Sequence, residues 1–295
     1  MFLVSFVESN QNRLGVLDRQ RSEVIDLARA DPGLPHDMLA FIALGEAGLA
    51  QARRALTSVT ARISLAQVRL VAPIPRPVRN IFCVGKNYRE HVQELQTAGA
   101  AFAAKDSIPE VPIFFTKATS SVIGPRQAIP ARLDPTHSVD YEGELAVVIG
   151  RGGRGIARAD ALRHVYGYTI INDVSSRVLQ RQHQQWFLGK SLDGFCPMGP
   201  AIATVDEIPD VTKLQIHTRV NGELRQNAAV SSMIFDIPTL IETLSRAMTL
   251  EPGDIISTGT PAGVGMGFQP PKYLQQGDVV TITIEPLGTL ENPVA

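Results

Sequence analysis

The sequence predicts a strand-rich α+β fold, and two features of the chain lead to this prediction. Most apolar runs are short and end at glycine or proline, which is typical of strands separated by turns. Helical periodicity is confined to a few segments, chiefly 88–104, 158–164, 174–187 and 236–249. A doubly wound sheet would need strands that alternate regularly with long helices, so we disfavour that class.

A proline-rich segment at residues 71–80 divides the chain into two parts. Residues 1–72 combine short β-prone runs with one helical pattern at 37–56, which predicts a small N-terminal α/β module. Three prolines within 71–80 disfavour a regular helix or a central strand there. We therefore expect a domain boundary at this point and a larger domain over residues 73–295.

Size and charge restrict the classes of function. The chain has 295 residues, and its 28 basic and 29 acidic side chains give a formal net charge of −1. No overall field therefore favours nucleic acid or an anionic membrane surface. No apolar run reaches the roughly 18 residues of a membrane helix, and the apolar start of the chain lacks the features of a secretory signal. We expect a cytoplasmic protein that binds neither nucleic acid nor a membrane.

The chain has two cysteines, Cys83 and Cys196. They lie in separate apolar runs without the close spacing of a metal or redox motif. We interpret both as buried thiols that form no disulfide.

Three carboxylates occupy positions that are hard to explain as solvated surface. Glu142 and Glu144 begin an apolar run, and Asp173 ends another. Residues two apart on a strand face the same way, so Glu142 and Glu144 would stand side by side and need a positive partner. Three carboxylates without a nearby His or Cys suit a hard cation such as Mg²⁺ or Mn²⁺. The alternative partners are surface arginines, namely Arg132, Arg151 and Arg154.

A glycine pattern in the same region is similar to a nucleotide-binding fingerprint. Gly150, Gly152 and Gly155 spell GxGxxG, and Asp173 follows eighteen residues later. A dinucleotide fold would need alternating strands and helices, whereas strand patterns dominate here. We therefore interpret the glycines as an exposed turn.

His91 and Glu94 form a second group of candidates. They lie three residues apart on a predicted helix, so they share a face and can touch. A carboxylate beside an imidazole orients the ring, which suits a general base that activates water. A surface pair has the same spacing, and the pattern alone leaves that alternative open. The alanine-rich residues 97–106 that follow indicate a segment that could move as a lid.

Three cations are expected in apolar surroundings, where an unpaired charge is costly. They are Lys117, Arg177 and Lys190, and each could also be a structural ion-pair partner. Gln180 and Thr260 add a side-chain amide and a hydroxyl nearby in the predicted site. Together these groups suit a small dianionic substrate held against a metal ion.

Seven motifs, taken together and in order, resemble the fumarylacetoacetate hydrolase family. The motifs cover residues 80–295 and read CVGKNYREH, PIFFTKATS, DYEGELAVVIG, INDVSSRVLQ, GKSLDGFCPMGP, RVNGELRQ and DIISTGTPAGVG. The resemblance implies a catalytic domain over 73–295 whose mixed sheets are rolled around the active site. It also implies a homodimer and a divalent cofactor, Mg²⁺ or Mn²⁺.

The resemblance further implies roles for individual residues. The implied metal ligands are Glu142, Glu144 and Asp173. The implied catalytic residues are His91 and Glu94, which match the lid dyad of the acylpyruvase-like branch, and Lys190. The implied substrate-binding or site-ordering residues are Lys117, Arg177, Gln180 and Thr260. A further upstream acidic ligand of the founding enzyme has no clear counterpart, which argues against fumarylacetoacetate as the substrate.

On these matches we expect a metal-dependent hydrolase of aromatic catabolism. It would cleave the C3–C4 bond of a 2,4-dioxo acid, such as an acylpyruvate or fumarylpyruvate, to pyruvate and a carboxylic acid. In this hypothesis His91, oriented by Glu94, activates the attacking water, and Lys190 stabilises the pyruvate enolate. One alternative is decarboxylation of oxaloacetate or a related β-keto acid, which uses the same enolate chemistry. Another is a non-catalytic protein that binds a metal or a small acid.

Overall fold

The computed structural model describes residues 1–97 and 108–295, which contain eighteen strands and seven α-helices. The strands are β1 (Phe2–Glu8), β2 (Gln11–Asp18), β3 (Glu23–Asp26), β4 (Arg62–Ser64), β5 (Arg69–Leu70), β6 (Ile81–Gly85), β7 (Ile113–Lys117), β8 (Val122–Ile123), β9 (Val139–Asp140), β10 (Gly143–Ile149), β11 (Val165–Asn172), β12 (Ser175–Ser176), β13 (Cys196–Thr204), β14 (Gln215–Val220), β15 (Glu223–Ala229), β16 (Ile255–Ser257), β17 (Val279–Ile284) and β18 (Gly288–Pro293). The α-helices are α1 (Leu27–Ala30), α2 (Met38–Ala43), α3 (Gly45–Ala55), α4 (Arg89–Thr97), α5 (Arg177–Gln182), α6 (Phe187–Lys190) and α7 (Ile237–Ala247).

Twelve of these strands form one large mixed sheet. Its order is β4-β3-β2-β1-β13-β11-β10-β16-β6-β7, with β5 paired to β1 and β8 paired to β13. Most pairings are antiparallel, and β6–β16 and β8–β13 are parallel. A four-stranded sheet, β15-β14-β17-β18, and the short pair β12-β9 complete the fold. The predicted strand-rich α+β class is therefore confirmed.

Residues 1–72 share the large sheet with the rest of the chain. Strand β1 pairs antiparallel with β13, and one apolar cluster joins Leu3 and Phe41 to Ala146 and Ile255. The first segment thus contributes both hydrogen bonds and buried surface to the main body. The domain boundary after residue 72 stays a prediction.

Strands β10 and β11 lie side by side near the middle of the large sheet, and every residue of both is buried. Their sequences are mostly apolar, as expected for strands that are covered on both faces. The strands are antiparallel, with Gly143 opposite Asn172 and Glu144 opposite Ile171. The beginning of β10 therefore lies beside the end of β11, which brings Glu142 and Glu144 close to Asp173.

The glycine-rich residues 150–157 connect β10 to the 3₁₀-helix Arg158–His164, which leads into β11. Because β10 and β11 are antiparallel neighbours, this connection is not the strand–helix–strand unit of a dinucleotide fold. Gly152 packs close to the segment that precedes β16, since a Cβ there would lie 2.7 Å from the carbonyl oxygen of Leu250. The interpretation of the glycines as a turn is confirmed.

The predicted helices match the structure unevenly. The periodicity at 236–249 corresponds to α7, and the periodicity at 37–56 corresponds to α2 and α3. The single helix predicted over 174–187 is wrong, because strand β12 precedes α5 and Gln184 adopts a φ of 54° beyond its end. A residue whose backbone φ is positive interrupts a right-handed helix.

The segment proposed as a lid, 97–106, lies outside the described residues except for Thr97, which ends α4. Among the helices of the described ranges, none combines the length and the apolar character needed to span a bilayer.

Both cysteines are buried and free, which confirms the prediction. Burial raises the pKa of the Cys83 thiol well above its ordinary value and raises that of Cys196 to about 12. A raised pKa means that the neutral thiol persists at pH 8, where only roughly 10⁻⁴ of a group with such a pKa is ionised.

We predict that neither thiol of the folded protein reacts with a disulfide reagent at pH 8 within an hour, because both are buried and neutral. A colorimetric thiol assay should report two thiols per chain after addition of denaturant. Rapid reaction of one thiol in the native protein would contradict this account of the core.

Candidate active site

Glu142, Glu144 and Asp173 form a buried acidic cluster. Each offers a carboxylate oxygen that lies within 4.8 Å of those offered by the other two. None of the three residues is more than 5% exposed. One oxygen of Glu144 accepts hydrogen bonds from the Ser257 hydroxyl at 2.6 Å and from the amide of Gly259 at 2.9 Å. The strands thus hold three carboxylates in a region that excludes most water.

Buried cations compensate this negative charge. The Lys190 ammonium lies 2.7 Å from Glu142 and 2.8 Å from Asp173. Lys117 donates to the other oxygen of Asp173 at 2.6 Å, and Arg177 donates to Glu142 at 2.5 Å. The cations that contact Glu142 are therefore the buried residues Lys190 and Arg177. The alternative, that the glutamates pair with surface arginines, is wrong.

The pKa values of the two neighbouring glutamates are shifted in opposite directions. Burial opposes ionisation of Glu142, but the charges of Lys190 and Arg177 outweigh it and lower the pKa of Glu142 well below its ordinary value. Burial, with the negative charges of Asp173 and Glu142, raises the pKa of Glu144 well above its ordinary value. The cause of the difference is that Glu142 contacts cations, whereas Glu144 contacts a neutral hydroxyl and an amide.

The donor set fits a hard divalent cation. Three carboxylates within bonding reach of one point match the oxygen ligands that Mg²⁺ and Mn²⁺ prefer. A bound cation would also favour the ionised form of Glu144, whose burial otherwise opposes ionisation. Lys190 contacts two of the three carboxylates, so its ammonium and a metal ion would compete for the same oxygens.

His91 and Glu94 meet on α4, as their spacing predicts. His91 Nδ1 lies 2.9 Å from one carboxylate oxygen of Glu94, and the other oxygen accepts the amide of Gly263 at 2.8 Å. The His91 side chain is only 6% exposed and that of Glu94 15%, so the surface-pair alternative is wrong. Glu94 thereby connects α4 to the loop that follows β16.

A narrow cavity of about 20 Å³ lies beside the acidic cluster, as bounded by the described residues. That volume is close to the space of a single water molecule, so a larger ligand requires side chains of the wall to move. The cavity is lined by seven of the predicted site residues, namely His91, Glu142, Glu144, Arg177, Gln180, Lys190 and Thr260.

The other predicted site residues lie behind this lining. Lys117 is fully buried and contacts Asp173 and the carbonyl oxygen of Val174. Glu94 lies behind His91, and Asp173 lies between Lys117 and Lys190. The geometry gives Lys117 direct contact with a predicted metal ligand. Its predicted contact with substrate remains a prediction.

Arg177 has one donor without an acceptor. Its Nε donates to Asp140 at 2.8 Å, and its Nη1 donates to Glu142 and to Gln180. Its Nη2 is buried and has no partner among the described residues. Because Arg177 lines the cavity, an anion there could accept a hydrogen bond from Nη2.

Sequence reasoning missed two residues of this site, Asp140 and Lys86. Asp140 is fully buried and accepts bonds from Arg177 and from the amides of the loop around Met266. Lys86 lines the cavity with a φ of 56°, and Trp186 lines it beside the ring of Phe115. Asp140 could have been found, since it extends the alternating acidic pattern that ends at Glu144.

Phe195 and Phe268 do not line this cavity. Phe195 is fully buried in the main apolar core. Phe268 packs between the guanidinium of Arg225 and the ammonium of Lys272, at 5.1 and 4.7 Å from its ring centre.

The strand-rich fold thus carries a buried three-carboxylate centre, a buried lysine and a His–Glu pair at one site. The model of the fumarylacetoacetate hydrolase C-terminal domain matches residues 80–295. The chain therefore belongs to the fumarylacetoacetate hydrolase family and is an enzyme of that family.

Individual relatives cover nearly the whole chain. The oxaloacetate tautomerase YisK of Bacillus subtilis is 46% identical over 286 residues, covering 92% of this chain and 93% of YisK. The mitochondrial oxaloacetate tautomerase fahd2 of Xenopus laevis is 42% identical, covering 100% of this chain and 90% of its own. The structure of maleylpyruvate hydrolase from Sphingobium sp. SYK-6 with a manganese(II) ion and pyruvate is 34% identical, with a TM-score of 0.79 and coverage of 100% and 99%.

We predict that Gly267→Ala impairs catalysis by displacing Glu94. A Cβ at position 267 would overlap the Glu94 carboxylate, which contacts His91. The expected result is a fall in kcat of about 10-fold or more, within the range of general acid–base effects. Gly33→Ala, at an exposed turn, is the matched control in steady-state assays.

A double variant separates positioning from general damage to the fold. If Gly267 acts through Glu94, Gly267→Ala should add little to the loss caused by Glu94→Ala. If the double variant instead loses activity by the product of the two single-variant factors, the prediction is wrong.

Proposed function

We propose that this enzyme interconverts the enol and keto forms of oxaloacetate, or of a closely related 2-oxo diacid, at a divalent metal centre. The relatives named oxaloacetate tautomerases support this proposal, because they align with this chain over most of their own length. The observation of this structure that carries it is the buried Nη2 of Arg177 at the cavity, which has no partner within residues 1–97 and 108–295.

An unpaired buried donor of a charged group is costly, and a substrate carboxylate would remove that cost. Arg177 is 2% exposed and held by Asp140 and Glu142, so its free Nη2 is fixed in place before a ligand arrives. Such preorganisation favours binding of a planar anion such as a carboxylate.

The charge balance of the site favours a dianion over a monoanion. Four buried carboxylates are matched by four buried cations, so the centre is close to neutral when all of them are charged. A divalent ion would add two positive charges, which a dianionic substrate would neutralise. The carboxylates are Asp140, Glu142, Glu144 and Asp173, and the cations are Lys86, Lys117, Arg177 and Lys190.

Glu142, Glu144 and Asp173 would hold the divalent ion, either Mg²⁺ or Mn²⁺. When bound, such an ion supplies a Lewis acid that polarises the 2-oxo group of a chelating substrate. Lys190, at the edge of the same carboxylates, would place a second positive charge near the oxygen that becomes negative in an enolate.

The tautomerisation itself needs only proton transfers. The enol loses its O–H proton, the C=C electron pair forms a C–H bond at C3, and the 2-oxo group forms. Glu94 accepts the Nδ1 proton of His91, which leaves Nε2 as the ring nitrogen that can take up or deliver a proton. No water is consumed.

Hydrolysis of the C3–C4 bond of a 2,4-dioxo acid is the second candidate. The buried His91–Glu94 pair favours it, because the same imidazole could activate a water molecule that attacks C4. The similarity to the maleylpyruvate hydrolase structure, which contains manganese and pyruvate, also supports this candidate. Decarboxylation of oxaloacetate would release CO₂ and leave pyruvate enolate, the same enolate that this hydrolysis would leave. The predicted homodimer remains a prediction.

Product analysis with Mn²⁺ distinguishes these reactions. We predict that the enzyme speeds equilibration of enol and keto oxaloacetate without forming pyruvate, and that a chelator abolishes the effect. Ultraviolet absorbance would follow the enol, and lactate dehydrogenase coupling would follow pyruvate. Faster formation of pyruvate from acetylpyruvate or fumarylpyruvate would establish hydrolysis instead, and pyruvate with CO₂ from oxaloacetate would establish decarboxylation.

Arg177→Lys tests the carboxylate-binding role. Lysine keeps the charge but lacks the second donor arm, so we predict a fall in kcat/KM for oxaloacetate of roughly 10- to 100-fold, the scale of a hydrogen bond to a charged group. The matched control is Arg181→Lys, an exposed position on the same helix. An unchanged KM and kcat in Arg177→Lys would contradict the role.

A further inference from the structure

An open surface cavity of about 530 Å³ lies at the glycine-rich connection between β10 and β11. Its charged lining consists of Arg151, Arg154, Asp160, Arg163 and His164. We call this the basic cavity. Its volume falls within the range typical of small-molecule sites. The proposed reaction uses none of these residues.

The basic cavity is separate from the active site. Glu144 stands at the start of β10, and Arg151 follows the end of that strand. Seven residues at about 3.3 Å per residue place the two Cα atoms roughly 20 Å apart. A ligand in the basic cavity would therefore not contact the acidic cluster.

The loop that forms the basic cavity is held firmly by backbone hydrogen bonds. Gly153 and Leu250 exchange two bonds of 2.9 Å, and the amide of Gly155 donates to the carbonyl oxygen of Ser245 at 2.7 Å. The amide of Ile156 donates to the Ser245 hydroxyl at 2.9 Å, and the Ile156 side chain is buried. The arginines of this loop thus extend from a fixed backbone.

The positive charge of the basic cavity is only partly compensated. Arg163 pairs with Asp160 at 2.9 Å. The side chains of Arg151 and Arg154 make neither an ion pair nor a hydrogen bond within residues 1–97 and 108–295, and both are exposed. His164 Nδ1 lies 2.7 Å from the carbonyl oxygen of Arg151, so Nδ1 donates there and Nε2 stays available.

Other exposed arginines of the chain do form ion pairs with carboxylates. Arg158 pairs with Asp236, and Arg246 pairs with Glu242 at 3.1 Å. Arg151 and Arg154 have no such partner in the described part of the chain, although the whole chain is slightly acidic, with a net charge of −1. The excess positive charge is therefore local to the basic cavity.

We propose that the basic cavity binds a small polyanion that carries at least two phosphate or carboxylate groups. Guanidinium groups bind both kinds of anion through paired N–H donors, and two uncompensated arginines suit two anionic groups of one molecule. The fixed loop lowers the cost of ordering on binding. A single small anion would leave most of the 530 Å³ unfilled.

Calorimetric titration of the full-length protein tests this proposal with two probes, tripolyphosphate and tricarballylate. We expect at least one probe to bind with one site per chain, and the tighter probe identifies the anionic group. Arg151→Ala/Arg154→Ala should weaken that binding at least 10-fold. The matched control is Arg54→Ala/Arg69→Ala, two exposed arginines elsewhere on the chain, which should leave it unchanged.

Further variants keep the result interpretable. Arg151→Gln/Arg154→Gln should weaken binding similarly, and both double variants should melt at the temperature of the unchanged protein, because both side chains are exposed. Arg177→Lys should retain full affinity, since its site is separate. No measurable heat with either probe, equal affinity in the double variants and the control, or loss of binding in Arg177→Lys would overturn the proposal.

Discussion

The contact of buried cations with buried carboxylates is the constraint on which the rest of this structure depends. Asp173 is held between Lys117 and Lys190, and Glu142 between Lys190 and Arg177. Removing one partner of a buried ion pair costs about 3–5 kcal/mol, because the other charge is left uncompensated. The network therefore fixes the relative positions of β7, α5 and α6, which supply the three cations, and of the residues next to β10 and β11 that supply the two carboxylates.

The same network explains why a metal ion and a diacid suit this site. Cations of the protein already neutralise most of the negative charge of the carboxylates. A divalent ion would therefore give the site an excess of positive charge, which an anionic substrate would neutralise. The His91–Glu94 pair is attached from the other side through the amide of Gly263. One wall thus holds carboxylates and the other holds an imidazole, with the cavity between them.

Much of this arrangement could be predicted from the sequence, because it follows from local patterns. The alternation of Glu142 and Glu144 predicts their common face, and the spacing of His91 and Glu94 predicts their contact. The glycine pattern after β10 is a turn for the same local reason, since strand patterns surround it. The motifs of residues 80–295 indicated the family.

Other features depend on contacts between distant segments, which no local pattern contains. That Lys190 lies between Glu142 and Asp173 follows from how α6 packs beside β12 and β7. The free donor of Arg177 is visible only once its three acceptors are placed. The helix predicted over 174–187 is interrupted after α5, at Gln184. The apolar periodicity of the sequence continues past this residue, but its backbone φ of 54° is not helical.

The most direct test of the central claim, that the three carboxylates form a metal seat, is a crystal structure of the protein grown with Mn²⁺ and analysed by anomalous scattering. The account predicts one manganese peak within coordination distance of Glu142, Glu144 and Asp173, with the Lys190 ammonium no longer bridging two of them. A map without a peak there, or with Lys190 still in contact with both Glu142 and Asp173 and manganese bound elsewhere, would contradict it.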